Sequence, residues 1–79
     1  MATSEIADRV RREFGDAWQD DVRAALDRYG TEPYHREIVR VQHAILDLAQ
    51  GDPVELEAMV QAAVIDYRDV LMWAAEDAR

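Results

Sequence analysis

The sequence predicts an all-α domain, and three observations predict it. No stretch alternates apolar and polar residues with the period of a strand, and no β-branched run exceeds two residues. Apolar residues recur instead at three- and four-residue spacing. The glycines and prolines, Gly15, Gly30, Gly51, Pro33 and Pro53, fall between the periodic stretches. Together they predict one domain over residues 1–79, a three-helix up-down arrangement with helices over 4–29, 33–50 and 53–78. A chain of 79 residues supports a core worth only about 3–5 kcal/mol, so completion as a dimeric helical bundle is expected.

The first region carries Ile6, Val10, Phe14, Trp18, Val22 and Leu26 at every fourth residue. On a helix of about 3.6 residues per turn this stripe winds by about 40° per step, so one straight rod cannot keep it on one flat partner. Asp16-x-x-Gln19 also reads as a capping box after a Gly15 stop. A bend or break near Gly15 is therefore expected. The alternative is one continuous helix that tolerates the glycine at about 1 kcal/mol.

The second helix is expected to end the Gly30-Thr31-Glu32-Pro33 link, with Thr31 as its cap. Its stripe is Tyr34, Ile38, Val41, Ile45 and Leu48, flanked by Val39 and Leu46; Arg36, Glu37, Arg40 and Asp47 lie opposite. The sharpest local signal follows it. Gly51 suits a left-handed helix end, Asp52 a cap, Pro53 a first helical position and Glu55 the return half of a capping box.

The third helix is the most apolar. Leu56, Met59, Val60, Ala63, Val64, Tyr67, Val70, Leu71 and Ala74 form one broad face, and Ala58, Ile65 and Met72, with Trp73 alongside, form a second seam nearly opposite. A straight helix over 53–78 is about 39 Å long, whereas a globule of this size is about 30 Å across. The helix should project, and Ala58, Ile65, Met72 and Trp73 are the candidate interface with a second copy.

Charge and composition exclude several function classes. Nine basic residues, all arginine, against seventeen acidic ones give a net charge of −8, which disfavours nucleic-acid binding. With no cysteine there is neither a disulfide framework nor a cysteine zinc site. The lack of an apolar run of about 18 residues leaves no membrane span, and the charged first twelve residues do not resemble a signal peptide. Cytoplasm is the expected compartment, and the arginine- and alanine-rich usage suggests a bacterial genome of high GC content. Residues 52–79 hold seven acids and two arginines, an acidic face suited to a basic protein partner.

Few residues offer chemistry. His35 and His43 are eight apart, about 80° in direction, too divergent for one metal ion. His43 and Asp47 share a face as a possible ligand pair, and Glu32-x-x-His35 has a di-iron spacing without the rest of that set. Asp66 and Asp69 flank Tyr67 and Arg68 on one side of the third helix. Paired carboxylates serve acid–base or Mg²⁺ chemistry, but equally anchor an arginine, for which Arg36 and Arg40 are expected donors. His43, Asp66, Arg68 and Asp69 are thus the polar cluster to examine. Arg9, Arg11 and Arg12 face Asp8, Glu13 and Asp16 at helical spacing, which predicts pairs such as Asp8–Arg12 and Arg9–Glu13. No phosphate loop, metalloprotease motif or nucleophile elbow is present, so no catalytic, cofactor-binding or metal-binding residue is assigned and no cofactor is expected.

The stretch from Val41 through Gly51-Asp52, followed by Asp66-Tyr67-Arg68-Asp69-Val70-Leu71-Met72-Trp73-Ala74, with Trp18, Val22-Arg23 and Tyr29-Gly30 ahead of it, resembles a group of small bacterial helical proteins of unassigned function. The resemblance covers about residues 18–76. It implies no reaction, and no catalytic residue comes with it. The expected function is a non-enzymatic interaction module or small homodimer. The alternative is a small enzyme, or a ligand- or metal-binding protein, with an inter-subunit site around Asp66 and Asp69.

Overall fold

The computed structural model describes residues 4–33 and 35–77. Among them every regular element is helical: α1 (Ser4–Phe14), a 3-10 turn (Asp16–Trp18), α2 (Gln19–Asp27), α3 (Ile38–Ala49) and α4 (Pro53–Asp77). The α3–α4 hairpin forms the most extensive packing; α2 leans on α4, and α1 closes over α2 and α3. Tyr34, part of the expected second stripe, and residues 78–79 lie outside the described residues.

The first helical region is split, not continuous. Gly15 sits at φ +83° and its N–H closes α1 on the Arg11 carbonyl at 3.0 Å. The break resolves the winding stripe: Ile6 and Val10 from α1 and Val22 and Leu26 from α2 are all buried in one core. Trp18, at the break, is left 47 % exposed. The Asp16 capping box does not form; a 3-10 turn with no side-chain cap replaces it. Asp8 pairs with Arg11 at 3.3 Å instead of Arg12, while the Arg9–Glu13 pair is present.

The second helix begins at Ile38, not near residue 33. Contacts made by Tyr29, His35 and Thr31 hold the intervening backbone out of helix. The Tyr29 hydroxyl donates to the Arg36 carbonyl at 2.7 Å and accepts from the Arg36 N–H at 3.2 Å. The His35 ring stacks on Tyr29, centroids 4.5 Å apart, and its Nδ1 accepts the Gly30 N–H at 2.8 Å. Thr31, expected to cap this helix, turns back and donates to the Arg28 carbonyl at 3.4 Å. Glu37 then enters α3 in the left-handed region, φ +49°, without a side-chain cap.

The corner between α3 and α4 matches its signal. Gly51 has φ +79°, and the Asp52 carboxylate accepts the Val54 N–H at 2.9 Å. A Cβ on Gly51 would stand 2.9 Å from the Glu13 carbonyl oxygen, so the corner packs directly on the end of α1. Glu55 is exposed and makes no return bond among the described residues.

The third predicted helix is not straight and does not project. Asp66 leaves helical geometry, φ −155°, ψ 102°, and divides α4 into arms over 53–65 and 67–77. The longest dimension of the molecule is 31 Å, shorter than the rod that was expected. Leu56, Val60, Ala63 and Val70 are buried, whereas Val64, expected on the core face, is 48 % exposed beside the break.

Candidate functional site

The two departures from predicted helix face each other. The segment at 35–37 and the break at Asp66 line one groove of about 420 Å³, with Tyr29, His35 and Arg36 on one side and residues 63–68 on the other. Departures from local propensity concentrate where structure serves something besides stability, so this groove is the candidate functional site.

One wall is built from Tyr29. It lies in the stripe of Val22 and Leu26 and is 1 % exposed. Burial raises its pKa, partly offset by the hydrogen bond to Arg36. Gln42, also fully buried, donates its amide to the carbonyls of Leu26 and Tyr29, each at 3.1 Å, and so caps the end of α2 from α3. Its Oε1 is buried without a partner among the described residues. The Arg36 backbone is thus pinned twice by a fixed phenol, while its exposed guanidinium has no partner among the described residues.

The other wall is built from Asp66. Its Oδ1 accepts the Arg68 backbone N–H at 3.1 Å, which makes Asp66 the cap of the second arm. The Arg68 guanidinium folds back on the same carboxylate, Nε to Oδ1 at 3.0 Å and Nη2 to Oδ2 at 3.1 Å. That side-chain bond, then the backbone one, hold the Asp66 pKa below its ordinary value, and the same pairing raises Arg68. Asp69 is exposed and is not among the residues that line the groove. Nor do the expected donors arrive: Arg40 pairs with Glu37 at 2.8 Å. Tyr67, half-buried, approaches Tyr29 with ring centroids 6.4 Å apart.

His43 belongs to a different place. Arg9 reaches from α1 to donate to His43 Nδ1 at 3.0 Å and to the His43 carbonyl at 3.2 Å, and also pairs with Asp47 and Glu13. With Nδ1 accepting, the ring proton is assigned to Nε2, 3.5 Å from Glu5. Burial pulls the Arg9 pKa down, but the bonds to Glu13 and Asp47 outweigh it and leave it raised. His43 and Asp47 do share a face, and a guanidinium occupies the position between them that a bridging metal would take. No group of three potential metal ligands exists among the described residues.

The candidate interface residues lie on the outward side of α4. Ala58 is exposed, Ile65 is 85 % exposed, Met72 50 % and Trp73 36 %. Sequence reasoning found Asp66, Arg68 and the seam, weighed His35 as a metal ligand and Arg36 as a donor to the aspartates, and missed Tyr29 and Gln42. Tyr29 had a signal, its place three residues after Leu26 in the stripe.

No known family model matches the chain, and neither a curated protein nor a solved structure is similar to it, so the resemblance carried by the C-terminal string stays an expectation.

Proposed function

We propose that this chain is a non-enzymatic interaction module that pairs with a second copy across the outward face of α4. The observation that carries the reading is a row spaced by three and four residues: Val54, Ala58, Gln61, Ile65, Asp69, Met72 and Glu76, every member exposed. On each helical arm the positions share a line, Val54, Ala58 and Gln61 within about 40° of Ile65 before the break, and Asp69 and Met72 within about 40° of Glu76 after it. Large apolar side chains at this density on one line are what an interface core requires.

Charge along the row favours one orientation. The members before the break carry no charge, and those after it include Asp69 and Glu76. An antiparallel pairing centred on Ile65 sets Met72 against the partner's Ala58 and Asp69 against the partner's Gln61, whereas a parallel pairing sets acid against acid. The acidity of residues 52–79 makes a basic protein the competing occupant. No described helix is long and apolar enough to cross a membrane; the module is read as acting in the cytoplasm, without nucleic acid. The alternative of an enzyme or ligand site using Asp66 and Asp69 has less support, because both oxygens of Asp66 are engaged by Arg68.

Sedimentation equilibrium at micromolar concentration tests the reading. The wild-type chain should run at about twice 9.1 kDa, Ile65→Arg at the monomer mass, and His43→Ala as wild type. A monomeric wild type, or a dimer indifferent to Ile65→Arg, refutes it.

A further inference from the structure

We propose that the groove between the 35–37 segment and the α4 break binds a small monocarboxylic acid with a flat apolar body, and that Arg36 receives the carboxylate. The groove offers about 420 Å³, within the range of small-molecule sites of roughly 300–1,000 Å³. Its lining carries two half-buried rings against which a flat ligand can lie: His35, stacked on the buried Tyr29, and Tyr67, tilted against Tyr29.

The charge balance selects the polar group. Glu37, the neighbour of Arg36 in sequence, is engaged by Arg40, and Asp66, which lines the same groove, by Arg68. Arg36 is left as an uncompensated cation in a chain of net charge −8. Its backbone is fixed through both its N–H and its carbonyl, and the next residue, Glu37, is held in a left-handed conformation that non-glycine residues rarely adopt. An arginine on a pinned backbone is placed for planar recognition of a carboxylate, at a smaller ordering cost than one on a loose loop. A neutral ligand would leave that cation unmatched. The carboxylate contact rests on Arg36 and not on the pairing of α4, although the groove lining shares Ile65 with the proposed pairing row.

The test is a ¹⁵N–¹H correlation titration with naphthalene-2-carboxylate, using naphthalene-2-carboxamide and acetate as controls. The acid should shift the amides of Gly30, Arg36, Tyr67 and Arg68 and bind at least about tenfold tighter than the amide. Acetate, lacking the apolar body, should give no comparable shifts. Arg36→Gln should lose about the same factor for the acid and leave amide binding, far-UV circular dichroism and sedimentation unchanged. Equal binding of acid and amide, unchanged binding by Arg36→Gln, shifts confined to other surfaces, or no shifts at millimolar acid each overturn the proposal.

Discussion

Two aspartates in this chain do the same local job with different results. Asp52 and Asp66 each accept the backbone N–H two residues on, at 2.9 and 3.1 Å, and each starts a run of helix. At Asp52 the chain reverses direction; at Asp66 it only bends. The difference lies in the neighbours. Asp52 follows Gln50 and Gly51, both with positive φ, and precedes Pro53, whose ring cannot continue a preceding helix. Asp66 follows Ile65 and precedes Tyr67, neither of which stops a helix. A cap alone starts a helix but does not end the one before it, so the second arm continues from the first across a break of one residue.

That comparison can be broken at four places, from the largest effect to the smallest. Gly51→Ala forces a side chain into a left-handed position and against the Glu13 carbonyl; it should cost about 2–3 kcal/mol in urea unfolding. Gly15→Ala meets open space, but φ +83° with ψ 168° is backbone that only glycine adopts readily, and it should cost about 1–3 kcal/mol. A smaller loss at Gly51 than at Gly15 would show that packing on α1 does not fix the corner. Asp52→Ala should cost about 1 kcal/mol and lower the Tm by about 4–8 °C. Asp66→Ala should cost less than Asp52→Ala, because the arm after it is already held by Val70 in the core.

The smallest effect is a pH dependence. The folded pKa of Asp66 is depressed by Arg68, so its contribution is present above the ordinary carboxylate value and is lost as pH falls through the lowered folded value. Asp66→Asn keeps a good cap but removes the ion pair. Acid unfolding of wild type below about pH 4 should therefore be steeper than that of Asp66→Asn, with little difference at pH 7. Parallel curves would remove the Arg68 pairing from the account.

Much of the fold was legible because it rests on local signals. The winding stripe from Ile6 to Leu26 required a break, and Gly15 supplied its position. Gly51-Asp52-Pro53 fixed the corner residue by residue. The two misread regions rest on local side-chain bonds that apolar periodicity does not register. Nothing in the pattern near residue 33 announces that Tyr29, seven residues back, will hold the Arg36 backbone. The helical pattern from Leu56 to Ala74 runs through Asp66 without interruption, and periodicity has no means to register one non-helical residue. The groove, made from both regions, was therefore invisible, although Asp66 and Arg68 on one wall had been singled out for another reason. The outward seam on α4 was legible because exposure follows from angle alone, and a bend of the axis leaves it outside.

The groove stands on the claim that Asp66 ends one helical arm and begins another. The ¹³Cα secondary shifts of residues 60–72 test it most directly. Helical shifts on both sides with an extended-type shift at Asp66, replaced by an unbroken helical run in Asp66→Ala, are the result expected. A continuous helical run through Asp66 in the wild-type chain would contradict the break and the site built on it.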